Sequence, residues 1–405
     1  MKKSTSIISL ACLVVNIACS NQSEEHNISD IPILNLRNNV TISDNIFNEN
    51  IRKTDYIQLE TNDDCLIASI LDICLTKKYI FIVSSKQDGV LQFARDGKFI
   101  RKIASRGMGP GETMMILSIS ADEKKEKIYI SQPTNTLFYN YNGDYLGLYE
   151  RERVTSFQYY FKENITSEIG FENVPVTLEG MFGMGVFNIE NNDTLHIKND
   201  FVNSELIPAE QTVLKNVFCI EGNNGYLGYT ANNDTIFKLN EKGIKPAYIL
   251  STGNSNEAKK YLSSVESQEL HFPSFFFQIF DFFETENSLY ARALYYGGDN
   301  SDQNTDMLFF AYNMQTRKTT YSKGSLKPLE LIGLNSRMTG LGMTVNKNNL
   351  PIWPIKTYPN EKILLQVFTI PEILYLIEKD SNIILPEKIN NLNEDLNPII
   401  VLYYL

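Results

Sequence analysis

Histidine is nearly missing from this chain, with 3 in 405 residues, and tryptophan occurs once. The three are His26, His196 and His271, and no Ser–His–Asp arrangement accompanies them in motif form. Imidazole acid–base chemistry and a hydrolase triad therefore have little to work with. Cysteine is scarce too, at five. Cys12 and Cys19 fall at the start of the chain, which leaves Cys65, Cys74 and Cys219. They are odd in number and none stands at metal-ligand spacing, so they read as small core residues, with a disulfide open but not implied. Long basic runs and low-complexity tracts are absent, and the net charge is -11. Nothing here would neutralise phosphates, which excludes nucleic acid as a partner.

What the chain does have is hydrophobic content of 43%, with Tyr 22 and Phe 23 as a strand-favouring aromatic mix. It opens on Lys2 and Lys3 followed by an apolar run, Ile7 to Val15, too short to span a bilayer permanently. Asn16-Ile17-Ala18-Cys19 resembles a bacterial lipoprotein cleavage box. Residues 1–18 then form a signal peptide, and Cys19 carries the lipid. Residues 19–54 form a tether and a loose N-terminal wrap, and residues 55–405 form the folded domain. The polar, acidic stretch Ser20 to Asp30 resembles the signal that sends Bacteroidetes lipoproteins to the outer face of the outer membrane. The expected location is an exported, lipid-anchored protein of the outer membrane, held to the membrane by its acyl chains alone.

A repeat organises the rest. Ser69 to Leu75, Tyr79 to Ser84, Gly89 to Ala94 and Lys98 to Ala104 read as a four-stranded meander. Ile80-Phe81-Ile82 returns as Ile128-Tyr129-Ile130, Leu91-Gln92-Phe93 as Leu137-Phe138-Tyr139, and Asp96-Gly97 as Asn142-Gly143. The offsets of 46 to 48 residues are the period of a propeller blade. One such sheet cannot bury both faces alone, and neighbours stacked about an axis do so. Later units are looser, with borders unsettled in 150–205 and 322–350. A helical insertion is expected over 254–270, and Pro371 opens a short helix, Glu372 to Lys379. The last unit lacks a fourth strand, and Tyr56 to Glu60 has no home in the first. Pairing that segment onto Ile399 to Tyr404 closes the ring and removes an open edge. The expected fold is all-β, a six-bladed propeller of four-stranded antiparallel blades with short helical insertions.

Between the first two units lies Gly107-Met108-Gly109-Pro110-Gly111-Glu112. This GxGPGE loop resembles the signature of the six-bladed, NHL-like β-propeller lipoproteins of Bacteroidetes. Asn233-Asp234-Thr235-Ile236-Phe237-Lys238-Leu239, the helix before the last strand, and Asn393-Glu394-Asp395-Leu396-Asn397-Pro398 resemble further motifs of that family. The resemblance spans residues 55 to 405 and implies a fold and a compartment. It carries no catalytic residue onto this sequence.

Candidate sites follow from the architecture. The loop residues Gly107, Gly109, Pro110, Gly111 and Glu112 expose backbone N–H groups that could hold an anion, or glycine simply permits a tight crossover that Glu112 caps. Asp72, Glu221 and Asp281 fall on expected inner strands, where converging carboxylates could hold calcium or another divalent cation. The bland alternative is isolated acids facing channel water. Thr194 and Thr235 follow aspartates in a pattern resembling the O-glycosylation acceptor of Bacteroidetes envelope proteins. The aromatic run Phe272 to Phe283 reads as an inner strand with its packing. Two functions are therefore weighed. One is a non-catalytic binding propeller for a protein, peptide or glycan, with no cofactor. The other is a metal-dependent hydrolase or lyase using channel carboxylates.

Overall fold

A computed structural model describes residues 31–85, 89–150, 156–162, 165–171, 184–188, 193–198, 217–230, 234–256, 258–259, 275–297, 304–323, 350–379, 381–389 and 392–405. Expectations about Cys19, His26, His271, the signal peptide and most of the 254–270 insertion lie outside them.

Three short strands come first: β1 (Ile33–Asn35), β2 (Val40–Ile42) and β3 (Lys53–Gln58). A first antiparallel sheet follows, β4 (Ile70–Leu75), β5 (Tyr79–Ser84), β6 (Val90–Ala94) and β7 (Phe99–Ile103). A small parallel pair, β8 (Ser105–Arg106) and β9 (Glu112–Thr113), leads into the second sheet. That sheet is β10 (Ser118–Asp122), β11 (Lys127–Ser131), β12 (Asn135–Asn140) and β13 (Tyr145–Glu150). The third is β14 (Ser156–Lys162), β15 (Ile165–Phe171), β16 (Met184–Asn188) and β17 (Asp193–Lys198). The fourth is β18 (Val217–Gly222), β19 (Gly225–Thr230), β20 (Thr235–Asn240) and β21 (Gly243–Ser251). The fifth is β22 (Phe275–Glu284), β23 (Ser288–Gly297), β24 (Asn304–Asn313) and β25 (Lys318–Lys323). In the sixth, β26 (Lys356–Tyr358) and β27 (Ile363–Phe368) precede a helix α1 (Ile370–Lys379) and β28 (Ile399–Tyr404). The molecule is all-β with few helices, its antiparallel sheets arranged as a β-propeller.

Sequence accounts for these elements locally. β27 and β28 read ILLQVF and IIVLYY and are buried on both faces apart from Tyr404, as sheets sandwiched between neighbours must be. In each of the first four sheets the third and fourth strands share a register shift at one position, between Gln92/Phe93, Phe138/Tyr139, Val186/Phe187 and Ile236/Phe237. Such a bulge adds twist in the same place each time. α1 begins two residues earlier than its periodicity suggests. Thr369 and Glu372 form a capping box there, with Thr369 N donating to Glu372 Oε2 at 2.8 Å.

The segment expected to wrap loosely does more. β1 pairs in parallel with β21, and β2 with β25, so each adds a fifth strand to an outer edge. β3 then pairs antiparallel with β28, Ile399 opposite Gln58 and Tyr404 opposite Lys53. The chain therefore closes through its N-terminal segment. Packing between sheets is apolar: one core joins the fourth, fifth and sixth sheets, a second joins the sixth and first, and a third joins the first and second. The six equivalent blades expected from the repeat are not what forms. β18 packs against β26 as well as β22, so the fifth sheet does not separate its neighbours at their inner edges.

Asn397 fastens the closure. It is fully buried. Its Oδ1 accepts from Ile67 N at 2.7 Å, and its Nδ2 donates to Glu60 O at 2.6 Å and Cys65 O at 2.9 Å. Its own N donates to Thr61 Oγ1 at 2.8 Å, and its carbonyl accepts from Gln58 Nε2 at 2.7 Å. Both ends of the side chain and both main-chain groups are thus bonded to residues 58–67, as a buried amide requires.

Candidate functional site

The inner strands β4, β10, β18 and β26 surround a cavity of about 950 Å³. That volume lies within the range of small-molecule sites. Its walls mix apolar groups such as Ile119 and Ile355 with acids and bases.

Two of the three carboxylates proposed as metal ligands reach this region, and they do different things. Asp72 stands just past a bulge in β4, between Ile70 and Asp72. Its Oδ2 accepts from Ile119 N on β10 at 2.8 Å, and its Oδ1 accepts from Ile73 N at 2.9 Å. Lys356 Nζ on β26 lies 2.9 Å from the same Oδ1. One side chain therefore staples three sheets, the sixth, first and second. Burial works to lower the Lys356 pKa, but the Asp72 charge and hydrogen bond prevail and hold it above its ordinary value.

Glu221 is unlike Asp72. Its backbone carbonyl accepts a hydrogen bond from Thr357 Oγ1, which pins β18 to β26. Its carboxyl borders the cavity. No described residue donates a hydrogen bond to it. Burial, with the Glu361 charge adding and Lys356 opposing, pushes its pKa up to about 7.

Asp281 is not part of the cavity wall. A register shift between Ile279 and Asp281 turns it toward Arg292 on β23. Arg292 Nε donates to Asp281 Oδ1 at 3.0 Å, and a second guanidinium nitrogen donates to Oδ2. The guanidinium in turn lies 5.2 Å from the Trp353 ring centroid, a buried cation–π contact. Asp72, Glu221 and Asp281 are thus not brought together, and no cluster of three or more metal-ligating side chains occurs among the described residues.

The wall is completed by Cys74 and Cys219, expected as small core residues, and by Tyr226, Lys356 and Tyr358, which the sequence did not single out. Cys74 and Cys219 are free thiols, as is the buried Cys65. Burial drives Cys74 to about 12, and Cys219 well above its usual range, so both are held as protonated thiols. Tyr358 accepts a hydrogen bond from Leu75 N at 2.8 Å and borders the cavity with Tyr226. A lysine at the start of a short inner strand was the available signal for Lys356.

The GxGPGE loop is self-contained. Gly109 N donates to Glu112 Oε2 at 2.7 Å, and Gly107 N donates to Thr113 O at 3.2 Å. A Cβ on Gly107 would meet Glu112 Oε2 at 2.0 Å. Gly111 sits at φ 76 and its carbonyl accepts from Tyr139 OH. The carboxylate occupies the position an external anion would take. Met108 at the loop tip is 91% exposed. Of the glycosylation candidates, Thr194 lies on β17, and Thr235 lies on β20, half-buried and opposite Ile249. His196 lies on β17.

No helix among the described residues is long and apolar enough to cross a membrane. No curated protein matches the chain. Among solved structures, a Bacteroides fragilis protein described as exported is similar at TM-score 0.61 and 16% identity, over 92% of this chain and 98% of that one. A member of the DUF4221 family from Bacteroides vulgatus aligns at TM-score 0.46 and 9% identity, over 87% of this chain and 96% of that one. The family described as "Domain of unknown function (DUF4934)" matches residues 31–404, and the chain belongs to it.

Proposed function

We propose that this protein is an exported, non-catalytic binding propeller whose ligand sits in the cavity between the inner strands. In this reading six sheets form one closed ring, with the fifth set back from the axis, and Cys19 anchors the ring to the outer membrane. The ring is supported by the sorting of strands into sheets and by the β3–β28 closure. Export is supported by the charged and apolar N-terminus and by the description of the Bacteroides fragilis relative.

One observation carries the binding reading. A half-buried carboxyl, Glu221, borders about 950 Å³ of space without a hydrogen-bond donor from any described residue. A carboxyl with a raised pKa, partly withdrawn from water and facing open space, is the kind of group that gathers at binding sites. A ligand that donates to it would also use the cavity. The partner class is a small molecule or a chain end from a peptide or glycan.

The test is a thermal-shift screen with panels of peptides, oligosaccharides and amines, run on the protein and on Ala121→Leu. Ala121 borders the cavity on β10, so leucine fills part of it. At least one class is expected to stabilise the protein and to lose its effect in the filled variant. A shift that survives the filling, or none from any class, overturns the proposal.

A further inference from the structure

The cavity has a polarity. Acids outnumber bases along its wall, and the chain as a whole carries a net charge of -11. Either fact alone would say little, since channel acids are often simply solvated. Glu221 adds a specific point of attachment. Its neighbours can be taken element by element. On its own strand stands Cys219, and opposite it on β19 stands Tyr226. Lys356 and Tyr358 face it from β26, Glu361 from the turn beyond, and Cys74 from β4. The cation in this set is Lys356, and its ammonium is held by Asp72 at 2.9 Å. The protein therefore supplies Glu221 with a second acid and two phenol rings, while its cation is already committed.

We propose that the cavity takes its ligand by a primary ammonium group, received by the Glu221 carboxylate between the rings of Tyr226 and Tyr358, with an apolar stem along Ile355. This rests on the cavity being the ligand site. A cation there supplies the donor that Glu221 lacks, and the tyrosine rings favour it through their quadrupoles. An anionic ligand would meet two acids on entry, and a neutral alcohol would leave the carboxylate charge uncompensated.

The same geometry makes binding depend on pH. A proton on Glu221 competes with the ammonium, and its pKa of about 7 places that competition in the neutral range. Alkylammonium ions keep their charge through that range. Affinity therefore rises as Glu221 ionises, by about tenfold between pH 6 and pH 8.

Isothermal titration calorimetry on the purified protein tests this with three probes of one length: n-hexylamine, hexan-1-ol and hexanoate. Hexylamine is expected to bind, with the alcohol and the acid at least about tenfold weaker. Glu221→Gln is expected to weaken hexylamine by about tenfold or more and to flatten its pH profile. Its thermal transition at pH 8 is recorded alongside, so that misfolding is seen directly. Hexanoate binding as tightly as hexylamine overturns the inference, and so does unchanged affinity in Glu221→Gln. If hexylamine is silent while another panel ligand binds and is lost in Ala121→Leu, the ammonium inference fails and the cavity reading stands.

Discussion

Asn397 and Glu221 are both polar and both on or beside strands that join sheets, yet one is fully buried, the other half-buried, and their surroundings are opposite. Around Asn397 every donor and acceptor has a partner, supplied by residues 58–67. Around Glu221 the backbone is pinned and the carboxyl is left with space and no described donor. The first arrangement is what stability selects, because a half-satisfied buried amide costs more than it returns. The second sacrifices stability, and such sacrifices gather at functional sites. The contrast separates the clasp from the candidate site without reference to any relative.

The contrast can be broken by substitution. The largest effect is expected at the clasp. Asn397→Ala removes three side-chain hydrogen bonds and leaves Ile67 N, Glu60 O and Cys65 O buried without that partner. A loss of about 4 kcal/mol is expected in urea denaturation, at one to a few kcal/mol per orphaned group. A loss below about 1 kcal/mol would mean that the closure does not depend on it.

Glu221 is expected to behave in the opposite sense. Its folded pKa, about 7, is above its ordinary value of 4.5. The folded state therefore holds a proton that the unfolded state has lost between those values. Stability from this group is full below the lower value and falls as pH rises through the higher one. Glu221→Gln removes the penalty. It is expected to stabilise the protein by about 3 kcal/mol at pH 8 and by little at pH 4.5, read from denaturation at both. Equal effects at the two pH values would place the carboxyl in an ordinary environment.

Lys356→Met sharpens the comparison between the two acids. It strands the Asp72 charge among three sheets, with an expected cost of about 2 kcal/mol, discounted for the partial exposure of the lysine. It also removes the charge that opposes the rise at Glu221, so the Glu221 titration should move higher still. The smallest change is expected in the signature loop. Gly111→Ala forces a side chain into φ 76 and within 2.9 Å of the Tyr145 ring, for about 1 kcal/mol in the same denaturation assay and no change in ligand binding.

Much of this was legible in advance, for physical reasons. The propeller showed because a 46-to-48-residue period repeats strand, turn and strand in the same order. The closure showed because β28 is a strong strand lacking a neighbour, and a propeller must pair its edges. Asn397 showed as part of a motif, without its role, since five hydrogen bonds across more than three hundred residues leave no local trace. Asp281 was placed in the channel because it falls on an inner strand. The register shift between Ile279 and Asp281, which membership of a strand does not reveal, sends it to Arg292. β1 and β2 have three residues each, too few for any period to emerge. Lys356 sits in an equally short strand and escaped for the same reason. The expected equivalence of the six blades failed because contacts between inner strands depend on how far each sheet stands from the axis, which no single-strand pattern encodes.

The most direct test is the titration of Glu221 itself, followed by ¹³C NMR of its side-chain carboxyl with and without hexylamine. The account predicts a midpoint near 7 in the free protein, from burial beside Glu361, and a fall of that midpoint when the amine is bound. A midpoint near 4.5 in the free protein, unmoved by the amine, would contradict it.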